Sequence, residues 1–191
     1  APAAIEAQAA ARLATGAQQS MAQGKAPAMI HVFLDPSCPG GHHAFADSEN
    51  NGPWGRALTT EIIPHLERKF RLLSKPHARF LSGHSSGGWS TLWLQITYPE
   101  FFGGTWSTAP DPVDLRNYTG VVAVPGSKDN AYREADGSPK QLVRMNRRWV
   151  ASFESFARQE EVLGEYGGQF ASFEWAWSPR GPGGRPLPLF D

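Results

Sequence analysis

Two spacings of apolar residues divide the chain into elements. From Ile5 to Gln23 the sequence is rich in Ala, with Glu6 and Arg12 as its only charges. Its apolar face is thin (Ile5, Leu13, Met21), which predicts a helix that packs loosely. Met29 to Leu34 is an unbroken apolar run with β-branched members, read as a buried strand closed by Asp35-Pro36. Leu58, Ile62, Leu66 and Phe70 recur every four residues and predict a helix from Trp54 to Phe70, kinked at Pro64. A second strand is expected from His77 to Leu81. A tight Gly/Ser turn follows from Gly83 to Gly88, and then a helix carrying Trp89, Leu92, Trp93 and Ile96, ended by Pro99. Thr105–Ser107 and Val121–Val124 read as short strands. Leu142, Met145, Trp149, Phe153 and Phe156 form one stripe of a helix from Gln141 to Glu161. Phe170–Trp177 reads as a strand, and Ser178–Asp191, dense in Pro and Gly, has no element.

Strands that alternate with helices predict parallel βαβ units in an α/β sheet flanked by helices. No internal repeat is visible, and 191 residues suit one domain. Within it, residues 1–28 form a helical extension and 178–191 an irregular end. Lys plus Arg equals Asp plus Glu, 18 of each, so there is no basic stripe for nucleic acid. Seven Trp and 11 Phe supply core material. No apolar run reaches the 18 residues of a membrane span, and the N-terminus lacks the apolar centre of a signal peptide. That leaves the compartment open. One cysteine, Cys38, excludes an internal disulfide and a Cys-based zinc site. Neither metal nor cofactor is expected.

The chemistry concentrates in Gly83-His84-Ser85-Ser86-Gly87, a G-x-S-x-G pattern expected between a strand and a helix. That context places a Ser hydroxyl at a sharp turn above the strand ends, where the helix dipole favours negative charge. The N–H of Ser86 can then face a developing oxyanion. The plainer alternative makes Ser85 an ordinary helix N-cap. A second oxyanion donor would come from the loop after the neighbouring strand, where Ser37 and Cys38 lie. That loop, residues 35–53, is too long for a plain connector and points to a functional role.

His42-His43-Ala44-Phe45, Asn50-Asn51-Gly52-Pro53-Trp54-Gly55, Gly83 to Trp89, and Ser107-Thr108-Ala109-Pro110-Asp111-Pro112 together resemble the putative esterase family, over roughly residues 29–191. That family includes enterochelin esterase, esterase D, feruloyl esterases and the mycolyltransferase antigens. The resemblance implies an α/β-hydrolase fold, a small-molecule ester substrate and Ser85 as nucleophile. It implies the amides of Ser86 and Ser37 as oxyanion donors. His42, His43, Trp54 and His84 are the candidates for the pocket around them.

A serine nucleophile needs a base, which in α/β-hydrolases follows it in the order Ser, acid, His. All six histidines here (31, 42, 43, 65, 77 and 84) precede Ser85. The expectation is therefore a truncated member, ending before its catalytic acid and His, with an open sheet edge that invites self-association. The rival expectation is a catalytically silent fragment or binding module. His42 and His43 lie in the loop that could reach Ser85, as a substitute base or as pocket walls. Asp111, Asp114 and Asp129 are read as loop-capping or pocket residues without an assigned role.

Overall fold

The computed structural model describes residues 2–163 and 168–190, and the chain divides into two compact units, Ala1–Asp35 and Pro36–Asp191. The first unit is one helix and a tail. Helix α1, Pro2–Ala22, has no charged residue in its first or last turn. The tail folds back locally, with the amides of Lys25 and Ala26 donating to the Ser20 carbonyl. Within this unit the run Met29–Leu34 forms no strand, and Ile30, Val32 and Phe33 are exposed. Strand propensity does not supply the neighbouring ladder that makes a strand, so the expected buried strand is corrected to an exposed tail without regular structure.

The second unit mixes short strands with helices. Residues 36–53 fold as two tight antiparallel hairpins: β1 (Ser37–Cys38) with β2 (Gly41–His42), and β3 (Asp47–Ser48) with β4 (Gly52–Pro53). The chain then enters a continuous helical stretch, α2 (Trp54–Ala57), a π-helical turn (Leu58–Ile62) and α3 (Ile63–Phe70). Pro64, which has no N–H to give to the carbonyl one turn back, follows the wide turn and explains it. Next come β5 (Phe80–His84), α4 (Ser86–Thr97) and β6 (Gly104–Thr108). β5 and β6 pair in parallel, Phe80 opposite Gly104 through His84 opposite Thr108. This is the βαβ unit the sequence predicted, in a slightly later register.

Downstream, two elements are exchanged relative to expectation. Residues 141–152 form an antiparallel hairpin, β7 (Gln141–Met145) and β8 (Arg148–Ser152), and helix α5 (Phe153–Leu163) begins only after it. Asn146 and Arg147, both at positive φ (48° and 64°), close the hairpin. The three- and four-residue spacing of Leu142, Met145 and Trp149 had mimicked a helix, while the β-branched Val143 and Val150 favour strands. Residues 168–177 form helix α6, not a strand. Phe170, Phe173 and Trp177 lie at i, i+3 and i+7 and stack along it, the last two with centroids 4.1 Å apart. Val121–Val124 makes only an isolated bridge, Tyr118 opposite Val121. The described part of the C-terminal stretch is irregular, yet Leu189 and Phe190 are buried.

Three apolar clusters hold the second unit. One gathers Tyr118, Val121, Phe153, Phe173, Leu189 and Phe190 around α6. A second joins Ala44, Ala46, Trp89 and Ala176. The third packs Phe45, Leu58, Leu94 and Phe102 beneath α4. A buried ion pair anchors the start of β5: the Arg79 guanidinium grips Glu67 of α3 through two bonds (2.6 and 3.1 Å) and lies 3.9 Å over the Phe101 ring. Arg79 holds the Glu67 carboxyl below its ordinary value. No helix of the described residues is long and apolar enough to cross a membrane.

Phe173→Ala is expected to lower stability by about 3–5 kcal/mol, against less than about 0.5 for the exposed Val162→Ala, by urea denaturation. The Glu67 carboxylate stabilises fully above its unfolded value near 4.5, and that contribution is lost as pH falls through its lower folded value. Glu67→Gln should remove this acid-side dependence and cost about 3–5 kcal/mol at neutral pH, read from denaturation midpoints measured at several pH values.

Candidate active site

β5 runs directly into Ser85, and α4 starts at the next residue. Ser85 sits at φ 55°, ψ −122°, a conformation that strains any residue with a Cβ. Its backbone is held from both sides. The Ser85 amide donates to the Thr108 carbonyl of β6 (3.1 Å), and its carbonyl accepts from the Trp89 amide (3.0 Å) and the Asp111 amide (3.4 Å). The bend is so sharp that a Cβ on Gly83 would lie 2.1 Å from the Gly87 carbonyl oxygen. Gly88 is pressed against the end of β6, where a Cβ would come within 3.0 Å of the Thr108 oxygen and the Pro110 Cα. Gly87 is open on that measure, with nothing within 4 Å. The strand, corner and helix expected over residues 77–98 are therefore present, and Ser85 is half-buried.

Beside the corner lies a polar chain that links three elements. The Gln169 side-chain amide of α6 donates to Ser86 Oγ (3.1 Å), and Ser86 Oγ donates to Asp111 Oδ2 (2.8 Å) in the loop after β6. His42 of β2 packs edge-on against Phe173 of the same helix α6, centroids 5.7 Å apart. Burial pushes the His42 imidazole below its ordinary value, and the Asp111 charge pulls weakly the other way. Tyr118, buried beside Phe173, has its hydroxyl pKa driven up by burial and then by the charges of Asp111 and Glu160. Glu160 accepts the amides of Gln169 (2.8 Å) and Phe170 (3.1 Å) at the start of α6. Burial raises its carboxyl, with those two amides opposing the rise.

The residues singled out from sequence fall in three places. Ser85 and Ser86 form the corner, and His42 joins its polar surroundings through Asp111 and α6. Ser37 is exposed in β1, directly opposite His42. His43 is buried and stacks face to face on Trp54 at 4.1 Å, while its Nδ1 accepts the Phe45 amide at 3.1 Å. Trp54 Nε1 donates to the Asn51 carbonyl. His84, last in β5, is exposed opposite Thr108. Burial pushes the Cys38 thiol up, which keeps it protonated. Of the three aspartates, Asp114 caps the turn at Arg116 and Asp129 accepts the Val122 amide, as loop-capping residues do. Only Asp111 is at the corner. Its position could have been found from topology, because the loop after the parallel neighbour of β5 shares its rim. Gln169 gave no signal, since it stands just before the segment Phe170–Trp177 that read as a strand. Among the described residues no three His, Cys, Asp or Glu side chains come together to hold a metal ion.

The model for the family described as Putative esterase matches residues 8–167. The chain belongs to the putative esterase family. The match begins earlier than the resemblance read from the sequence, inside α1, and stops before α6. No curated protein matches the chain. The esterase match runs through both hairpins of residues 36–53, the corner at Ser85 and the loop holding Asp111.

Gly83→Ala is expected to cost more than about 2 kcal/mol, since backbone rather than a flexible side chain would have to move. Gly87→Ala, inside α4 with open space, should be neutral or stabilising by up to about 1 kcal/mol. Urea midpoints of the two variants measure the difference.

Proposed function

We propose that this putative esterase family member is built as a serine ester hydrolase on an α/β-hydrolase plan, with Ser85 as its nucleophile. The observation that carries the reading is the backbone of Ser85: a residue at φ 55° between a parallel strand and a helix N-terminus. Such strain persists only where surrounding bonds enforce it, and it clusters at working sites. The turn sets the hydroxyl at the helix N-terminus, where partial positive charge favours an anion. In the proposed reaction Ser85 Oγ forms a bond to an ester carbonyl carbon as its proton passes to a base. The tetrahedral oxyanion is met by the amide of Ser86, with Ser37 as the second donor. Collapse expels the alcohol and leaves an acyl-enzyme, which water hydrolyses to the acid and free Ser85. The substrate is a small-molecule ester, and His42 forms a wall of the pocket, kept neutral by burial.

A second reading, a silent binding module, is favoured by one observation: among the described residues no histidine is hydrogen-bonded to Ser85. Loss of a general base typically costs about 10²–10⁴-fold.

A fluorophosphonate probe and p-nitrophenyl acetate separate the readings. Labelling of the wild type that disappears in Ser85→Ala supports the nucleophile. Ester turnover above background, equally lost in Ser85→Ala, supports the hydrolase. Equal labelling of both proteins would show the nucleophile assignment to be wrong, and labelling without turnover would favour the silent module.

A further inference from the structure

We propose that Asp111 and Gln169 are positioning residues for the oxyanion-binding amide of Ser86, acting through the Ser85 carbonyl and the Ser86 hydroxyl. The inference rests on the nucleophile reading above and names two residues that the reading does not use.

The Ser85 carbonyl and the Ser86 N–H belong to one peptide unit. That unit is planar and trans, so its C=O and N–H point in opposite directions. Whatever fixes the oxygen therefore aims the hydrogen. Two amides fix it: Trp89 from within α4 at 3.0 Å, and Asp111 from the loop after β6 at 3.4 Å. The Ser86 N–H, first in α4, has no acceptor inside the helix and points away from the Ser85 carbonyl.

The Ser86 side chain is the second handle on the same peptide. Its hydroxyl donates to Asp111 Oδ2 at 2.8 Å and accepts from Gln169 Nε2 at 3.1 Å. Amide, hydroxyl and carboxylate thus run donor to acceptor in one direction. Turning Ser86 to another rotamer would break both bonds in a part-buried place. Asp111 grips the peptide at both ends, with its backbone on Ser85 and its carboxylate on Ser86. Gln169 braces the arrangement from α6, the helix that also carries Phe173 against His42. An oxyanion donor must lie within about 2.7–3.1 Å of the developing charge, and a displacement near 1 Å can cost on the order of 10²-fold. A carboxylate near a developing anion would by itself oppose the reaction. Its presence is explained by the hydrogen bond it accepts from Ser86 rather than by its charge.

The test is the rate of fluorophosphonate labelling in the full chain, with its saturation constant, for wild type, Ser85→Ala, Asp111→Ala, Asp111→Asn, Ser86→Ala and the Asp111→Ala/Ser86→Ala double variant. Asp111→Ala should lower the maximal labelling rate roughly 10-fold or more with an unchanged saturation constant. Asp111→Asn, which keeps an acceptor and discards the charge, should restore most of the rate. The double variant should be no slower than Asp111→Ala alone, because both changes break one linkage. Wild-type rates in Asp111→Ala, or an Asn variant as slow as the Ala variant, overturn the inference while label loss in Ser85→Ala leaves the nucleophile standing. Labelling retained in Ser85→Ala overturns both. If Asp111→Ala fails to fold by circular dichroism, Ser86→Ala decides, and a wild-type rate there overturns the inference.

Discussion

A chain that passes from strand to helix through a single residue must reverse direction within one peptide. The reversal brings Gly83 against the Gly87 carbonyl, leaving 2.1 Å where a Cβ would stand. That steric constraint orders everything near it. It forces Ser85 to positive φ, sets the start of α4, and requires β6 to lie alongside so that Thr108 can accept the Ser85 amide at 3.1 Å. Strain of this kind costs roughly 1–3 kcal/mol per residue. Here it is offset by the parallel pairing of β5 with β6 and by the Arg79–Glu67 pair at the far end of the same strand.

Around the corner, α6 is the organising helix. It carries Gln169 to Ser86 and Phe173 to His42, and it bears on the first hairpin so closely that a Cβ on Gly41 would lie 2.7 Å from the Ser172 Cβ. The hairpins of residues 36–53 are tied to its end by Ser48 bonding the Trp175 carbonyl and Asn50 bonding the Ser178 carbonyl. An element from the distal part of the chain and one from the beginning of the second unit thus meet beside the corner at Ser85. Hydrogen bonding and packing share one face of this helix: Gln169 reaches Ser86, and Phe173, one turn on, packs edge-on against Tyr118.

What could be read from the residues alone was what short-range physics decides. The corner was legible because glycine spacing, a preceding β run and a following apolar stripe all lie within twenty residues of Ser85. The helix through Pro64 was legible too, and so was a disturbance at that proline, although not that it would take the form of a wide turn just before it. The hairpin at 141–152 was hidden by coincidence: Arg144 opposite Trp149 and Met145 opposite Arg148 give apolar side chains a helical spacing. Helix α6 was hidden because its aromatic residues have high strand propensity, and only the stacking of Phe173 on Trp177 makes the helical spacing pay. Asp111 and Gln169 stand 58 residues apart in the chain (169 − 111), and no local pattern announces that both reach one hydroxyl.

The wide turn at Leu58–Ile62 carries a consequence for chain length. An α-helix advances about 100° per residue, so one residue more in that turn, which is already wide, would swing everything after it by that angle. As the helix stands, Glu67 is buried and Phe70 is exposed. A single-codon insertion there would set Leu66 where Glu67 stands, against the guanidinium of Arg79, and strand that cation against hydrocarbon, so this stretch is held to its residue count as strictly as other sites are held to their residue type.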